Sequence, residues 1–359
     1  MTAPERSSRS TYFAIGGVVL ALLLYFVALP ELFAGRFDRA EATATSTVKS
    51  LLKPKATSTP VAFDAADYDR RMQRLANYGT STASTTRAWP TKTPYPKAGA
   101  ILPYKRVVAY YGNFYSKGMG VLGEYDTATV VAKLQSEVAR WQAADPQTPV
   151  IPAIQYIAVT AQGSPQSDGT YRLRMPDAQI QKAIDLARQV HGIAILDVQV
   201  GLSTLPQELP RLEPYLKQPD VHLAVDPEFS MHNGQKPGSV IGTMSAADIN
   251  YAINFLDKIA TDNNLPPKIL VVHRFTEPMV TGTKSIAPTA NVQVVMDMDG
   301  WGFAAKKLNT YQRVITPYPV QFAGFKLFYK NDLKPPSTRM LTPAEVLSQQ
   351  PAPIYIQYQ

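Results

Sequence analysis

The sequence predicts an α/β fold: a (β/α)8 TIM barrel preceded by a transmembrane helix and a flexible linker. Three observations carry this prediction: eight apolar runs of strand length occur from Arg106 onward, helix-like segments separate most of them, and the runs are continuously apolar. Continuous apolar strands indicate burial on both faces, as in a parallel sheet wrapped by helices. The alternative is an open doubly wound sheet, but the Gly-rich turn typical of that fold has no close match in YYGNFYSKGMGVLGEYD.

The start of the chain predicts a single membrane anchor. After a short tail, residues 1–11, comes an uncharged apolar run within residues 12–34 that is long enough to cross a hydrocarbon core as a helix. The nearest small-residue cleavage pair, Ala40 and Ala42, lies beyond this run, which favours an uncleaved signal-anchor over a signal peptide. The short tail favours a single-pass protein of the cell membrane with an extracytoplasmic carboxyl-terminal domain.

Residues 35–104 predict a flexible linker, because Ser, Thr, Ala and Pro dominate and offer little to bury. A short helix is expected inside it near residues 64–78, with Tyr68 and Met72 on one face. The barrel domain then takes residues 105–359. Since the chain stops directly after the eighth strand, no helix follows that strand, and the short helix is expected to cover the gap.

Composition excludes several kinds of site. Of the 359 residues, 45% are hydrophobic and 18% are charged, an ordinary globular balance. The absence of cysteine excludes disulfides, thiolate nucleophiles and Cys-based zinc sites. The net charge of +8 comes without a dense Lys/Arg block, which favours an anionic envelope surface over nucleic acid as a partner. No cofactor is expected.

Eight apolar segments are the predicted strands. In chain order they are RVVAYYG, PVIPAIQYIAV, GIAILDVQVG, VHLAVDPEF, KILVVHRF, VQVVMDMDG, VQFAGFKLFY and PIYIQYQ. Their length and their β-branched and aromatic content are typical of buried strands. Eight strands with crossover helices in about 250 residues match the barrel.

Helical periodicity marks the segments between the strands. TATVVAKLQSEVARWQAA follows the first strand, MPDAQIQKAIDLARQVHG the second, LPQELPRLEPYL the third, SAADINYAINFLDKIATDNN the fourth and GFAAKKLNTYQRVI the sixth, while TPAEVLSQQ precedes the eighth. Ser245 and Asp248 have the spacing of a capping box, and Thr342 and Pro343 mark a helix start. The segment after the fifth strand, TEPMVTGTKSIAPTA, is at most weakly helical.

Polar side chains concentrate late in the predicted strands, where a barrel of this kind carries its working groups. Strand alternation puts Asp226 and Glu228 on one face of the fourth strand, roughly 6.5 to 7 Å apart at the backbone. The same test turns further polar residues toward the barrel mouth: Gln155, Asp197, Gln199, His273, Asp297, Asp299, Lys326 and Gln357. Early positions in these strands are almost wholly apolar, so the sequence predicts a carboxylate cluster at one end of the barrel.

The tripeptide DPE at the end of the fourth strand resembles the D-x-E signature of TIM-barrel glycoside hydrolases, notably the chitinase-like and lysozyme-like groups that act on N-acetylated sugars. The resemblance implies Glu228 as the proton donor and Asp226 as its supporting carboxylate. Glycoside hydrolysis needs that division of labour between a protonated acid and an ionised carboxylate. The chain departs from the longer chitinase pattern at Val221 and Ala224, where further acids would stand.

The sequence therefore predicts a membrane-anchored, extracytoplasmic barrel that hydrolyses or binds a cell-envelope polysaccharide by carboxylate acid/base chemistry. The candidate catalytic residues are Glu228, Asp226, Asp297 and Asp299. The candidate substrate-binding residues are Asp197, Gln199, Gln155, Tyr110, His273, Trp301 and Gln357, with Trp301 as a stacking platform for a sugar ring.

Other interpretations fit the same residues. The acids and His273 allow a divalent-metal site of a hydrolase or isomerase, although no His-x-His or His-Glu-x-x-His spacing is present. A non-catalytic glycan-binding or scaffold barrel of the cell envelope also uses carboxylates and aromatics. For single residues the plainer interpretation is structural, such as a cap at Asp226 and an Asp-Gly turn at Asp299.

Overall fold

The structure of the protein is a computed structural model that describes residues 63–79 and 87–359. The predicted tail and transmembrane anchor, and much of the predicted linker, lie outside these residues. Within the two described ranges, no helix has the length and apolar character needed to cross a membrane.

Eight parallel strands close into a barrel, which confirms the predicted barrel domain. The strands are β1 (Arg106–Gly112), β2 (Val150–Ala161), β3 (Ile193–Val198), β4 (Val221–Val225), β5 (Lys268–Arg274), β6 (Val292–Met298), β7 (Phe322–Leu327) and β8 (Tyr355–Tyr358). Each strand pairs in parallel with the next, and β8 returns to pair with β1 through partners such as Ile356 and Val108. Because the ring is closed, each strand has a hydrogen-bonded neighbour on both sides.

Seven of the eight helices of the described chain occur close to where the periodicity predicts them, whereas the short helix Val121–Glu124 lies in a segment for which no helix is predicted. The helices are α1 (Ala65–Ala76), α2 (Val121–Glu124), α3 (Thr127–Ala144), α4 (Asp177–Gln189), α5 (Leu205–Leu216), α6 (Ala246–Asp262), α7 (Ala304–Val314) and α8 (Pro343–Leu347). Ser245 and Asp248 form the predicted capping box of α6, and Thr342 and Glu345 form one at α8. Asp64 caps α1 by accepting a hydrogen bond from its first turn.

Residues 275–291, between β5 and β6, contain no α-helix, in line with their weak helical pattern. Glu277–Met279 and Thr283–Ser285 form single 3₁₀ turns, and Val280–Thr281 pairs in parallel with Met244–Ser245. Gly282, at a φ of +67°, turns the chain between these pieces.

The barrel interior has two layers of different character. The layer near the amino ends of the strands is mostly apolar and includes Val107, Ala109, Ala153, Ile193, Ile195, Ala224, Ile269, Val271, Val295, Phe322 and Tyr355. The layer near the carboxyl ends is polar and buried, and it includes Gln155, Asp197, His273, Asp297, Lys326 and Gln357. Alternate strand residues such as Val108 and Leu223 pack outward, in the larger core against the helices. Strand alternation therefore delivers the polar groups to the interior at one end.

Helix α1 closes the amino-terminal end of the barrel. Tyr68 and Met72 belong to the same apolar cluster as the lower interior layer, together with Leu102. The backbone N–H of Ala352, just before β8, donates to the carbonyl of Leu75 at 2.7 Å. The expectation that this helix covers an outer gap after the eighth strand is therefore wrong. Its two large side chains, one helical turn apart, fit the bottom of the barrel instead.

Candidate active site

The structure brings most of the predicted site residues together at the carboxyl ends of the strands. Five carboxyl groups lie there, and we call them the acid cluster: Asp197, Asp226, Glu228, Asp297 and Asp299. Gln155, Gln199 and His273 contact members of this cluster directly. The predicted convergence of acids from the third, fourth and sixth strands is present.

A tight turn, rather than the strand, places Glu228. β4 ends at Val225, and Asp226 then caps the 3₁₀ turn Pro227–Phe229 by accepting a hydrogen bond of 3.1 Å from the Glu228 N–H. Nε2 of Gln199 donates to the other Asp226 oxygen at 3.1 Å. Strand alternation stops at Asp226, so the prediction that both acids share one strand face is wrong. The Glu228 carboxyl is partly exposed and makes no hydrogen bond within the described residues.

His273 lies fully buried between carboxylates of two strands. Its Nε2 lies 2.8 Å from Oδ2 of Asp197. Its Nδ1 lies 3.0 Å from Oδ2 of Asp299 and 3.5 Å from Oδ2 of Asp297, contacts that are close but poorly aligned for hydrogen bonds. Burial alone would lower the pKa of His273, but Asp197, followed by Asp297 and Asp299, raises it well above its usual value. With 0% exposure, this imidazole does not reach the surface that a substrate would touch.

Asp299 forms a second ion pair within the cluster. Its Oδ1 lies 3.0 Å from Nζ of Lys326, and that ammonium sits 4.0 Å from the centroid of the Tyr111 ring. Burial would raise the pKa of Asp299, but Lys326 and His273 lower it below its ordinary value. The side chain keeps 8% exposure, so an ionised carboxylate lies near the opening of the barrel.

Asp297 lies deeper than Asp299. It has 0% exposure, and neither carboxyl oxygen has a hydrogen-bond partner within the part of the chain that the structure describes. Burial raises the pKa of Asp297, and His273 opposes that shift. A Cβ atom at Gly324 of β7 would lie 2.6 Å from Oδ1 of Asp297, so glycine leaves room for this carboxyl. Of the two predicted base candidates, Asp299 is the less buried one and the one whose pKa is lowered.

Asp226 and Glu228 both hold protons more tightly than ordinary carboxyl groups. Burial raises the pKa of Glu228 to about 8, and the negative charges of Asp226 and Asp299 add to the shift. Burial also raises the pKa of Asp226 to about 6, with His273 opposing and Asp197 adding to the shift. The two groups titrate as a pair, in which Glu228 is the member that keeps its proton near neutral pH.

Two buried glutamines support the floor of the site. Nε2 of Gln155 donates to Oδ2 of Asp197 at 2.6 Å, and its Oε1 accepts from the hydroxyl of Tyr355. Nε2 of Gln357 donates to the same hydroxyl at 3.1 Å. Both glutamines have 0% exposure, so they orient Asp197 and do not present their amides at the surface.

Two predicted substrate-binding residues lie outside the cluster. Tyr110 faces the helices, where it packs in the outer core and its hydroxyl lies 2.8 Å from that of Tyr329. The prediction that Tyr110 faces the site is therefore wrong. Trp301 lies on the rim with 47% exposure, and the ammonium groups of Lys306 and Lys334 sit 4.7 and 5.1 Å from its ring.

The sequence prediction missed Tyr111 and gave Lys326 no role. The hydroxyl of Tyr111 accepts from Nε2 of Gln199 at 3.3 Å, and its ring lies 6.0 Å from that of His273. Tyr111 shares a strand face with Ala109, so alternation along the first strand was the signal that would have found it.

The residues of the cluster do not fit a metal ion. Within residues 63–79 and 87–359, no group of three or more His, Cys, Asp or Glu side chains is arranged to hold one. Both ring nitrogens of His273 face carboxylates, which leaves no free lone pair for a metal. Gln155 and Lys326 already occupy oxygens of Asp197 and Asp299.

The protein was compared with known families and structures. No family model matches the chain, and no curated protein matches it. Among solved structures, the chain is similar to a Bacillus subtilis mannanase, with 12% sequence identity and a TM-score of 0.35, over 72% of this chain and 81% of that one. The closed ring of eight parallel strands in this chain establishes its fold.

Proposed function

We propose that this protein is a glycoside hydrolase that acts on a cell-envelope polysaccharide, with Glu228 as its general acid. One observation carries the proposal. Glu228 is a partly exposed carboxyl at the mouth of a barrel, free of hydrogen bonds in the described chain, with a pKa raised to about 8 beside the ionised Asp299. A protonated acid beside an ionised carboxylate is the pair that glycoside hydrolysis requires.

Each residue has a separate task in this reaction. Glu228 gives its proton to the glycosidic oxygen as the bond to the sugar carbon breaks, and Asp226 supports it by capping its turn and by adding negative charge beside it. Asp299 faces the developing positive charge or takes a proton from the attacking water. Trp301, exposed on the rim, offers a flat apolar surface to a sugar ring.

The start of the chain supports the proposed location. The apolar run within residues 12–34 would anchor the protein in the membrane, and the Ser, Thr and Pro-rich residues that follow would let the barrel reach a polymer outside it. The net charge of +8 suits an anionic envelope surface.

The test is hydrolysis by the full-length protein of peptidoglycan, chitin oligomers and neutral β-glucans, followed as release of reducing ends. Glu228→Gln keeps the shape of the side chain but cannot donate a proton, so we expect a loss of at least about 100-fold. Glu277→Gln is the matched control, since Glu277 lies at the same end of the barrel after β5 and pairs with Tyr318 and Arg313 outside the cluster.

The outcomes separate the three functions. Activity that survives a chelator and disappears in Glu228→Gln supports the hydrolase. Activity lost with a chelator and restored by a divalent metal assigns the cluster to a metalloenzyme. Binding of a glycan with no hydrolysis assigns the protein as a glycan-binding scaffold.

A further inference from the structure

His273 is a fully buried group at the centre of the acid cluster. Polar or charged groups surround it from six of the seven other strands or the turns after them: Tyr111 of β1, Gln155 of β2, Asp197 of β3, Asp226 after β4, Asp297 and Asp299 of β6 and its following turn, and Lys326 of β7. Its exposure is 0%, so no solvent contacts the imidazole. Its charge is therefore fixed by these neighbours alone.

The carboxylates on both sides of the ring favour protons on both ring nitrogens. A neutral imidazole has one N–H donor, and its other nitrogen presents a lone pair. With Asp197 2.8 Å from Nε2 and Asp299 3.0 Å from Nδ1, either neutral form would leave an unprotonated ring nitrogen beside a buried carboxylate. The imidazolium form places a positive charge against both carboxylates.

The positive charge of His273 neutralises only part of the negative charge of the acid cluster. His273 and Lys326 are the two cationic side chains in contact with it among the described residues, against five carboxyl groups. They lie against Asp197 and Asp299, while Asp226 and Glu228 have no cationic partner within ion-pair distance in the described chain. The distribution of protons over that pair therefore depends on the two buried cations nearby.

We propose that His273 is a positioning residue that acts as a permanent buried cation: it locks Asp197 and Asp299 in place and sets how tightly Glu228 holds its proton. This inference rests on the proposed role of Glu228 as the acid. His273 itself neither touches the substrate nor transfers a proton.

The charge of His273 can be measured without any activity. NMR of the full-length protein labelled with 15N in histidine should show two protonated ring nitrogens for His273 from pH 5 to pH 9, assigned by their absence in His273→Gln. His222 is the internal reference, because it is equally buried in β4 but its Nδ1 accepts a hydrogen bond of 2.9 Å from the Ile269 N–H, which makes it a neutral imidazole. Titration of His273 near its ordinary pKa of about 6.5 would overturn the proposal.

The kinetic test is the pH profile. His273→Gln removes a positive charge, so Glu228 should hold its proton more tightly and the alkaline limb of kcat/KM should move up by about 1 pH unit or more. Asp197→Asn removes a negative charge and should move the same limb down by a smaller amount. His222→Gln, the matched control, should leave both limbs in place even if it lowers the stability of the fold.

The NMR measurement and the kinetic measurement can each contradict the proposal independently of the other. A His273→Gln profile with unchanged limbs and a lower rate would reduce His273 to a structural role and overturn the proposal. If His273→Gln does not fold, Asp197→Asn carries the kinetic test and an unshifted limb has the same meaning. If the protein hydrolyses no glycan, the proposed function fails, while the NMR result still decides the charge of His273.

Discussion

The two carboxyl groups that follow β4 differ in their surroundings more than in their chemistry. Asp226 is almost fully buried and accepts hydrogen bonds from the Glu228 N–H and from Gln199, both of which favour its ionised form. Glu228 is partly exposed and accepts no hydrogen bond within the described ranges. The proton of the pair therefore resides on Glu228, the member that a substrate can reach.

The rate of hydrolysis should depend on pH with a bell shape. Glu228 must be protonated and its pKa is raised to about 8, so activity should fall as the pH rises through about 8. Asp226 must be ionised and its pKa is raised to about 6, so activity should fall as the pH drops through about 6. The check is kcat/KM between pH 4 and pH 10, at constant ionic strength. A profile flat from pH 5 to pH 9 would contradict these roles.

Strand alternation predicts the inward residues only as far as the strands extend. Asp197, His273 and Asp297 lie within their strands and point inward as predicted. Glu228 lies beyond the end of β4, where a turn resets the direction of the side chain. The sequence prediction places Tyr110 in the site, whereas the alternation along its strand turns Tyr111 toward the interior. Asp299 and Lys326 follow or belong to different strands. Their ion pair therefore cannot be predicted from the alternation within one strand.

At the scale of single elements, α1 has a role that its sequence only partly indicates. Its apolar stripe and its cap predict a helix of nearly the observed length, Ala65–Ala76. The surface that it covers depends on the closed barrel, because all eight strands contribute to the apolar cluster that receives Tyr68 and Met72. The sequence therefore predicts that the helix exists, and the assembled barrel determines where it packs.

Shortening Met72 to alanine should destabilise the protein. The side chain is 5% exposed and packs against the lower interior layer, so its loss leaves a cavity and should lower the free energy of unfolding by about 2–4 kcal/mol. The measurement is denaturant unfolding at pH 7, where kcat of the folded variant should stay unchanged because α1 lies at the end opposite to the acids. Gln73→Ala, at the next and exposed position of α1, is the control. Equal losses in both variants would contradict the packing of α1 in the barrel.

At the scale of the whole molecule, the barrel interior combines stability and chemistry in separate layers. The lower layer is mostly apolar and stabilises the fold, whereas the upper layer places four buried carboxyl groups and the partly exposed Glu228 near two cations. The pKa values of several of these carboxyl groups are higher in the folded state than in the unfolded chain. Such groups lower the free energy of unfolding as the pH rises above the pKa that they have in the unfolded chain. The acid cluster at one end of the barrel therefore reduces stability at neutral pH.

Glu228→Gln should stabilise the fold while it abolishes activity. In the folded state Glu228 keeps its proton up to about pH 8, while in the unfolded chain it loses it near its ordinary pKa of 4.5. Through Glu228 the wild-type protein therefore loses stability as the pH rises from 4.5 to 8, and the glutamine variant lacks this contribution. We expect a gain of about 1–3 kcal/mol in the free energy of unfolding at pH 8 and little difference at pH 4. The check is denaturant unfolding at both pH values, and a gain of equal size at both would contradict the cause.

The barrel as a whole was predictable because its strands carry a strong, repeated signal. Eight apolar runs and their intervening periodic segments suffice to predict the closed sheet and nearly every helix boundary. Residues 275–291 lack such a signal, and 3₁₀ turns take the place of a helix there. The chemistry of the cluster was less predictable, since the charge of each acid depends on partners from other strands.

Because α1 closes the bottom of the barrel, it also limits how the acid cluster exchanges protons with solvent. Tyr68 and Met72 close the bottom of the barrel above which the acids lie, so a proton that leaves Glu228 has its exit at the mouth. A polymer bound across the mouth would cover that exit. Glu228 could then be protonated again only after the product leaves. Product release, and not bond cleavage, would be the rate-limiting step of turnover.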